Sequence, residues 1–219
     1  EELQALSEQV KDSFVRLVNE DANSHMVGSA MSVIGRSFKQ RIIELAEEKL
    51  GPPPVPYCFL ALGSMARDEQ LMVTDQDNAI ILDDSYNAQK HNTYFEQLSE
   101  FVCDGLALCG YHYCTGDIMA TNPMWRMTRR EWEACFADWI DDPNPKALLN
   151  SSIFFDLDGV YGRLKWAEQL NSFIVRRARR NNRFLACLAR NALNRTPPLG
   201  FFQSFVMEKD GQHKNSINL

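Results

Sequence analysis

The sequence lacks any pair of cysteines at CxxC spacing, although six cysteines occur among its 219 residues: Cys58, Cys103, Cys109, Cys114, Cys135 and Cys187. Most sit in apolar stretches, where a free thiol behaves as a small hydrophobe. A disulfide framework is therefore a poor reading, and a reducing, cytoplasmic setting is expected. No apolar run approaches the ~20 residues of a membrane-spanning helix, and no basic-then-apolar leader opens the chain. Membrane is not an expected partner. A basic excess is missing as well, since the formal net charge is −6. Proteins that hold nucleic acid draw much of their affinity from neutralising phosphates with Lys and Arg, so nucleic acid is an unlooked-for partner. One small polyphosphate carried with metal ions stays compatible, because the acidic residues then sit where the metal sits. Internal repeats and low-complexity tracts are also absent.

What is present is an ordinary globular composition, 45% hydrophobic and 24% charged, on a chain long enough for one large domain or two small ones. Residues 1–50 read as helical: Leu3, Leu6, Val10, Phe14, Leu17 and Val18 recur at helical spacing, then Val27, Met31, Ile34, Phe38, Ile42 and Leu45. Gly51 and the run Pro52-Pro53-Pro54 stop the second helix. Tyr57 to Leu62 is a short apolar run closed by Gly63, which reads as a buried strand. A short helix is expected over Met65 to Leu71, a second strand over Asn78 to Leu82, a long helix bearing Tyr94, Leu98, Phe101, Val102 and Leu106, and a third strand over Tyr111 to Thr115. The pattern then turns helical. Thr128-Arg129-Arg130-Glu131 fits a capping box, Trp132 to Ile140 supplies an apolar helix face, and two or three helices are expected between Pro145 and Arg195. Pro197-Pro198-Leu199-Gly200 reads as a rigid turn. The chain enters a helical pattern at its first residues and stops at Leu219 without a capping signal; both ends are expected to be cut from a longer chain. The expected class is α+β, with a helical segment over 1–51, a small mixed-sheet core over 52–126 and a helical domain over 127–219.

The chemistry concentrates in Leu62-Gly63-Ser64-Met65-Ala66-Arg67-Asp68-Glu69-Gln70 and Thr74-Asp75-Gln76-Asp77-Asn78. Side chains two apart in an extended segment share a face, about 7 Å apart along the backbone. Two carboxylates held that way can bind hard divalent ions, Mg²⁺ or Mn²⁺, which favour oxygen ligands and which phosphoryl-transfer sites bridge with substrate oxygens. Gly63 allows a sharp turn and a close backbone approach. Ser64 offers a hydroxyl and an N–H where a helix would begin, a place that favours anions. Ten residues separate Ser64 from Asp75, room for one short helix between neighbouring strands. Gly-Ser alone is a common turn, and Asp-x-Asp alone is often a solvated strand end. The combination of strand, Gly-Ser, short helix, Asp-x-Asp and strand is much rarer.

That combination resembles the nucleotidyltransferase superfamily that includes kanamycin nucleotidyltransferase and polymerase beta. The longer string through Ala79 is similar to one bacterial family of signal-transduction nucleotidyltransferases related to the PII-protein uridylyltransferase. The likeness continues through Met119-Ala120-Thr121-Asn122-Pro123-Met124-Trp125, Ile153-Phe154-Phe155-Asp156 and Pro197 to Phe202, covering most of the chain from Pro52 on. Ala66 departs from it, where that family commonly has glycine. The resemblance implies a nucleoside triphosphate as substrate, Asp75 and Asp77 as metal ligands, and Gly63, Ser64 and Arg67 on the phosphates. It also implies a third carboxylate on a following strand, for which Asp117 is the best-placed candidate. A small regulatory protein is the implied acceptor, and attached CBS or cyclic-nucleotide-binding domains are implied in the full-length chain. A nucleotide sensor without turnover is the competing reading. A glycosyltransferase using Asp-x-Asp ranks lower, because the Gly-Ser turn has no role there.

Several other groups read two ways. Arg67 can face phosphate, or pair with Asp68 and Glu69. Arg176, Arg177, Arg179, Arg180 and Arg183 form a basic run whose ordinary reading is a solvated helix face; Arg163 and Lys165 are similar, and Asp156 is a candidate for polar support of the site. His112 with Cys109 and Cys114 matches no zinc spacing and reads as strand core.

Overall fold

The computed structural model describes residues 2–20, 23–69 and 74–193. The chain opens with α1 (Glu2–Asn19) and α2 (Ser24–Leu50), the latter capped by the Asn23 side chain, which accepts from the N–H groups of His25 and Met26. Gly51 ends α2 at φ +86°, donating its N–H to Glu47 O. There follow β1 (Tyr57–Leu62), β2 (Asp75–Gln76), β3 (Asn78–Leu82), α3 (Ala88–Leu108), β4 (His112–Tyr113), β5 (Arg126–Thr128), α4 (Arg129–Asp141), α5 (Pro145–Phe154), β6 (Leu157–Gly162), α6 (Lys165–Ala178) and α7 (Asn182–Leu193). The class is α+β, as the periodicities predict.

The main sheet has the order β5-β3-β1-β6. β1 lies antiparallel to both β3 and β6, and β3 lies parallel to β5, so the sheet is mixed. β1 and β3 are buried along their whole length, and the alternation of side chains divides them between two cores. Tyr57, Phe59, Ile80 and Leu82 face Phe38, Ile42 and Ile43 of α2 and Phe95, Leu98 and Val102 of α3. Cys58, Leu60, Leu62, Ala79 and Ile81 face Trp132 and Phe136 of α4, Phe154 of α5, and Leu170 and Ile174 of α6. Each such aromatic or aliphatic side chain contributes about 1.5–3 kcal/mol on burial. Trp132 keeps its one polar atom satisfied by donating to Ile80 O at 2.9 Å. The capping box at Thr128 and Glu131 forms as the sequence predicts.

Three details differ from the sequence reading. Residues 63–68 form a chain of turns rather than an α-helix, and Gln70 and Leu71, the end of the expected helix, lie outside the described residues. The expected third strand shrinks to β4, which pairs with β2 in a separate two-stranded parallel ladder and not with the main sheet. The segment read as wholly helical, 127–219, begins inside β5 and contains β6, which pairs with β1 from Cys58↔Gly162 to Leu62↔Leu157. Its sequence, Leu-Asp-Gly-Val-Tyr-Gly, contains two glycines and one aspartate, residues depleted in strands, so strand propensity gave no warning. Gly162 has a structural reason: φ is +83° and an added Cβ would lie 2.2 Å from Tyr57 O. The Pro197–Gly200 turn lies outside the described residues.

Candidate active site

The ends of β1 and β3 meet where Gly63 leaves the sheet. Gly63 adopts φ +60°, a left-handed conformation that glycine takes without a Cβ penalty. Its N–H donates to Asp156 O at 3.0 Å, and its carbonyl accepts the Arg67 N–H at 3.1 Å. The Ser64 carbonyl accepts the Glu69 N–H at 2.9 Å, which closes the turn on itself. A Cβ on Gly63 would meet Asp77 Oδ2 at 3.2 Å. The second acid of the Asp-x-Asp pair thus packs directly against the glycine turn. Leu62 N–H to Asp77 O at 3.1 Å locks the two segments together.

Asp75 and Asp77 do not belong to one continuous strand. Asp75 is in β2, Asp77 is in the break between β2 and β3, and Gln76 between them points into the protein, where its amide donates to Cys103 O at 2.8 Å and Tyr111 O at 3.0 Å. Both acids nevertheless border one small cavity, of about 10 Å³, together with Ser64, Gln76 and Lys39. Asp75 is exposed and Asp77 half-buried. Burial pushes the Asp77 carboxyl above its ordinary range; the Cys114 thiol and Lys39 pull it back down and Asp75 pushes it up. Burial acts through hydration, Cys114 through a hydrogen bond, and Lys39 and Asp75 through their charges.

Lys39 is the residue the motif search missed. It is 1% exposed, in the interior of α2. Burial brings its ammonium down to about 8, against the upward pull of Cys103 and Asp77. The available signal was its position: it falls between Phe38 and Ile42 on the face that the helical periodicity assigns to the core. Arg36, one turn earlier, was also missed. It pairs with Asp158 and with Asp68, and donates to Met65 O at 3.2 Å, strapping α2 to the turn.

Arg67 is already engaged: Nε lies 2.8 Å from Glu69 and Nη1 lies 2.7 Å from Asp156. Asp117 is exposed, at φ +57°. Its Oδ2 accepts from the Asn122 amide at 2.8 Å, and its carbonyl accepts from Trp125 Nε1 at 2.8 Å. The next residue, Ile118, accepts the Asn78 N–H at 3.0 Å, so the Asp117 backbone runs beside Asp77-Asn78. Asp156 approaches from the other side, beside Gly63. Among the described residues no three His, Cys, Asp or Glu side chains converge as a ready-made metal cage. The pair Asp75 and Asp77 is what remains: two hard oxygen donors on one cavity, which fits a divalent ion completed by phosphate oxygens. His112, Cys109 and Cys114 form no such cage either. Of the basic run, Arg177 pairs with Asp141, while Arg176 and Arg180 stay exposed along a wider cleft of about 530 Å³ lined by Asp141, the end of α6 and the turn that follows it. Among the described residues no helix is long and apolar enough to cross a membrane.

With this geometry in place, comparison with known proteins adds two findings. Residues 8–146, well over half of the chain, match the family described as "Putative nucleotidyltransferase DUF294". Residues 182–219 match the one described as "Putative nucleotidyltransferase substrate binding domain". No curated protein matches the chain.

Proposed function

The chain belongs to this nucleotidyltransferase family, and from that premise we propose that it transfers a nucleoside monophosphate from a nucleoside triphosphate to a hydroxyl acceptor. The supporting observation is the contact between the Asp77 carboxylate and the positive-φ turn at Gly63. It brings together a backbone turn that can approach phosphate oxygens and the acids that can hold their metal. Asp75 and Asp77 would hold Mg²⁺ or Mn²⁺, which when bound supplies charge stabilisation for the transferring phosphate. Ser64 would donate its hydroxyl and N–H to the terminal phosphates. The acceptor oxygen forms a bond to the α-phosphorus, the bond from that phosphorus to the β-phosphate bridging oxygen breaks, and pyrophosphate leaves. The acceptor's proton passes to a carboxylate beside Gly63 and Asp77. Asp117 is one candidate for that carboxylate and Asp156 the other. Arg67 would have to exchange Asp156 or Glu69 for phosphate in order to bind it, because both carboxylates hold it in the structure.

Uridylyl transfer to a small regulatory protein, in a cytoplasmic signalling chain with attached CBS or cyclic-nucleotide-binding domains, is the finer reading we favour from the motif resemblance. The second reading, a nucleotide sensor, is favoured by one observation: the absence of three converging carboxylates among the described residues. Incubation with Mn²⁺ and each of four α-labelled triphosphates, with and without cell extract, tests the transfer reading. Label should pass to an acceptor with wild type, and Asp77→Asn should abolish transfer while staying folded. Asp117→Asn and Asp156→Asn then divide the cases: whichever keeps triphosphate binding but loses turnover is the third acid. Nucleotide binding without transfer by any of the proteins selects the sensor.

A further inference from the structure

A lysine in the middle of a core-facing helix stretch needs a reason. Taking an ammonium out of water costs several kcal/mol unless an anion compensates, and an apolar residue would fit between Phe38, Ile42 and Ile43, all buried in the core beside it. Asp77 is the carboxylate whose charge favours the Lys39 ammonium. The lysine's cationic neighbour Arg36 is repulsive and is already taken by Asp158 and Asp68. Lys39 shares its cavity with two carboxylates, Asp75 and Asp77. An unmatched polar atom accompanies it: among the described residues Gln76 Oε1 is buried without a hydrogen-bond partner, and Gln76 lines the same cavity.

We propose that Lys39 is a built-in counter-ion for the Asp75–Asp77 pair, balancing its charge before metal arrives and weakening the site's hold on a divalent cation that comes alone. The proposal rests on the metal-dependent reading of the same site. The charges explain the effect. Two carboxylates and one ammonium leave a net charge of about −1, a weak attraction for a free divalent ion at these separations. A triphosphate brings its own negative charge and restores the attraction. Metal and nucleotide would then enter together, and the acids would stay ordered against Gly63 in between.

The test uses Lys39→Met, which keeps the volume and the helix preference. Mn²⁺ binding is followed by electron paramagnetic resonance at pH 7 without nucleotide. Lys39→Met should bind Mn²⁺ roughly tenfold more tightly than wild type, the change expected when a neighbouring positive charge is removed. Measurable Mn²⁺ binding that is equal or weaker in Lys39→Met overturns the proposal. A second measurement needs no metal. In EDTA, Asp77→Asn should cost the wild-type background several degrees more melting temperature than the Lys39→Met background, because only in the former does it strand Lys39. Equal losses in the two backgrounds also overturn the counter-ion role. If neither protein binds Mn²⁺ while the melting losses differ as expected, the metal-dependent reading fails and the counter-ion role stands.

Discussion

The middle of β1 and β3 and the place where the same strands end obey different rules. In the middle, Phe59, Leu60, Ile80 and Ile81 are fully or almost fully buried, their side chains pack in the two apolar cores, and alternation assigns each to one core or the other. A few residues along, the same strands lead to a glycine at positive φ, a half-buried aspartate against it, a glutamine oxygen with no partner among the described residues, and a buried lysine that α2 brings to the place. The first region is what burial of apolar area produces by itself. The second holds polar groups that folding would discard, and such places are where function concentrates.

The widest separation between the regions should come from truncating the middle. Phe59→Ala removes a side chain with no exposure and should destabilise by about 3–5 kcal/mol, read as a shifted denaturant midpoint; any activity lost should return under conditions that restore folding. Ser64→Ala at the strand end should do the reverse. It deletes one donor while leaving the backbone N–H, so melting should barely move, and transfer should fall by at most the ~10²–10³-fold known for single transition-state donors. A melting loss comparable to that of Phe59→Ala would erase the distinction. The smallest effect is on pH. The Lys39 ammonium lies below its unfolded value of 10.5, at about 8. The unfolded chain therefore binds more protons between those values, and stability should rise as pH climbs through that window. The full penalty applies below it. The gain should be no more than about 3 kcal/mol and should be missing from Lys39→Met, as the difference between the two proteins' stability curves over pH 8–10.5 would show.

Much of the fold was legible because its signals are local. The runs at β1 and β3, the stop at Gly51 and the Thr128–Glu131 cap each depend on residues within one turn or strand of one another. β6 was not legible, because its glycines follow from its partner strand, Gly162 sitting where Tyr57 O leaves no room for a Cβ, and its Asp158 pairs with Arg36 of α2. β4 was overread for a related reason, since Tyr111 to Thr115 has strand character but only two of its residues find a ladder.

The sequence by itself determined which residues the proposed chemistry rests on, because Gly63-Ser64 and Asp75-x-Asp77 are short-range patterns whose spacing already implies a turn beside two acids. Tertiary structure alone decided what surrounds them. It set Lys39 on that cavity from a helix 36 positions before Asp75, gave Arg67 to Asp156 and Arg36 to Asp158 across more than 80 residues of chain, and turned the Asp117 carboxylate toward Asn122. The physical reason is range. Backbone conformation and apolar period are fixed by near neighbours, whereas the balance of a buried charge depends on whichever groups the packed chain brings within a few ångströms.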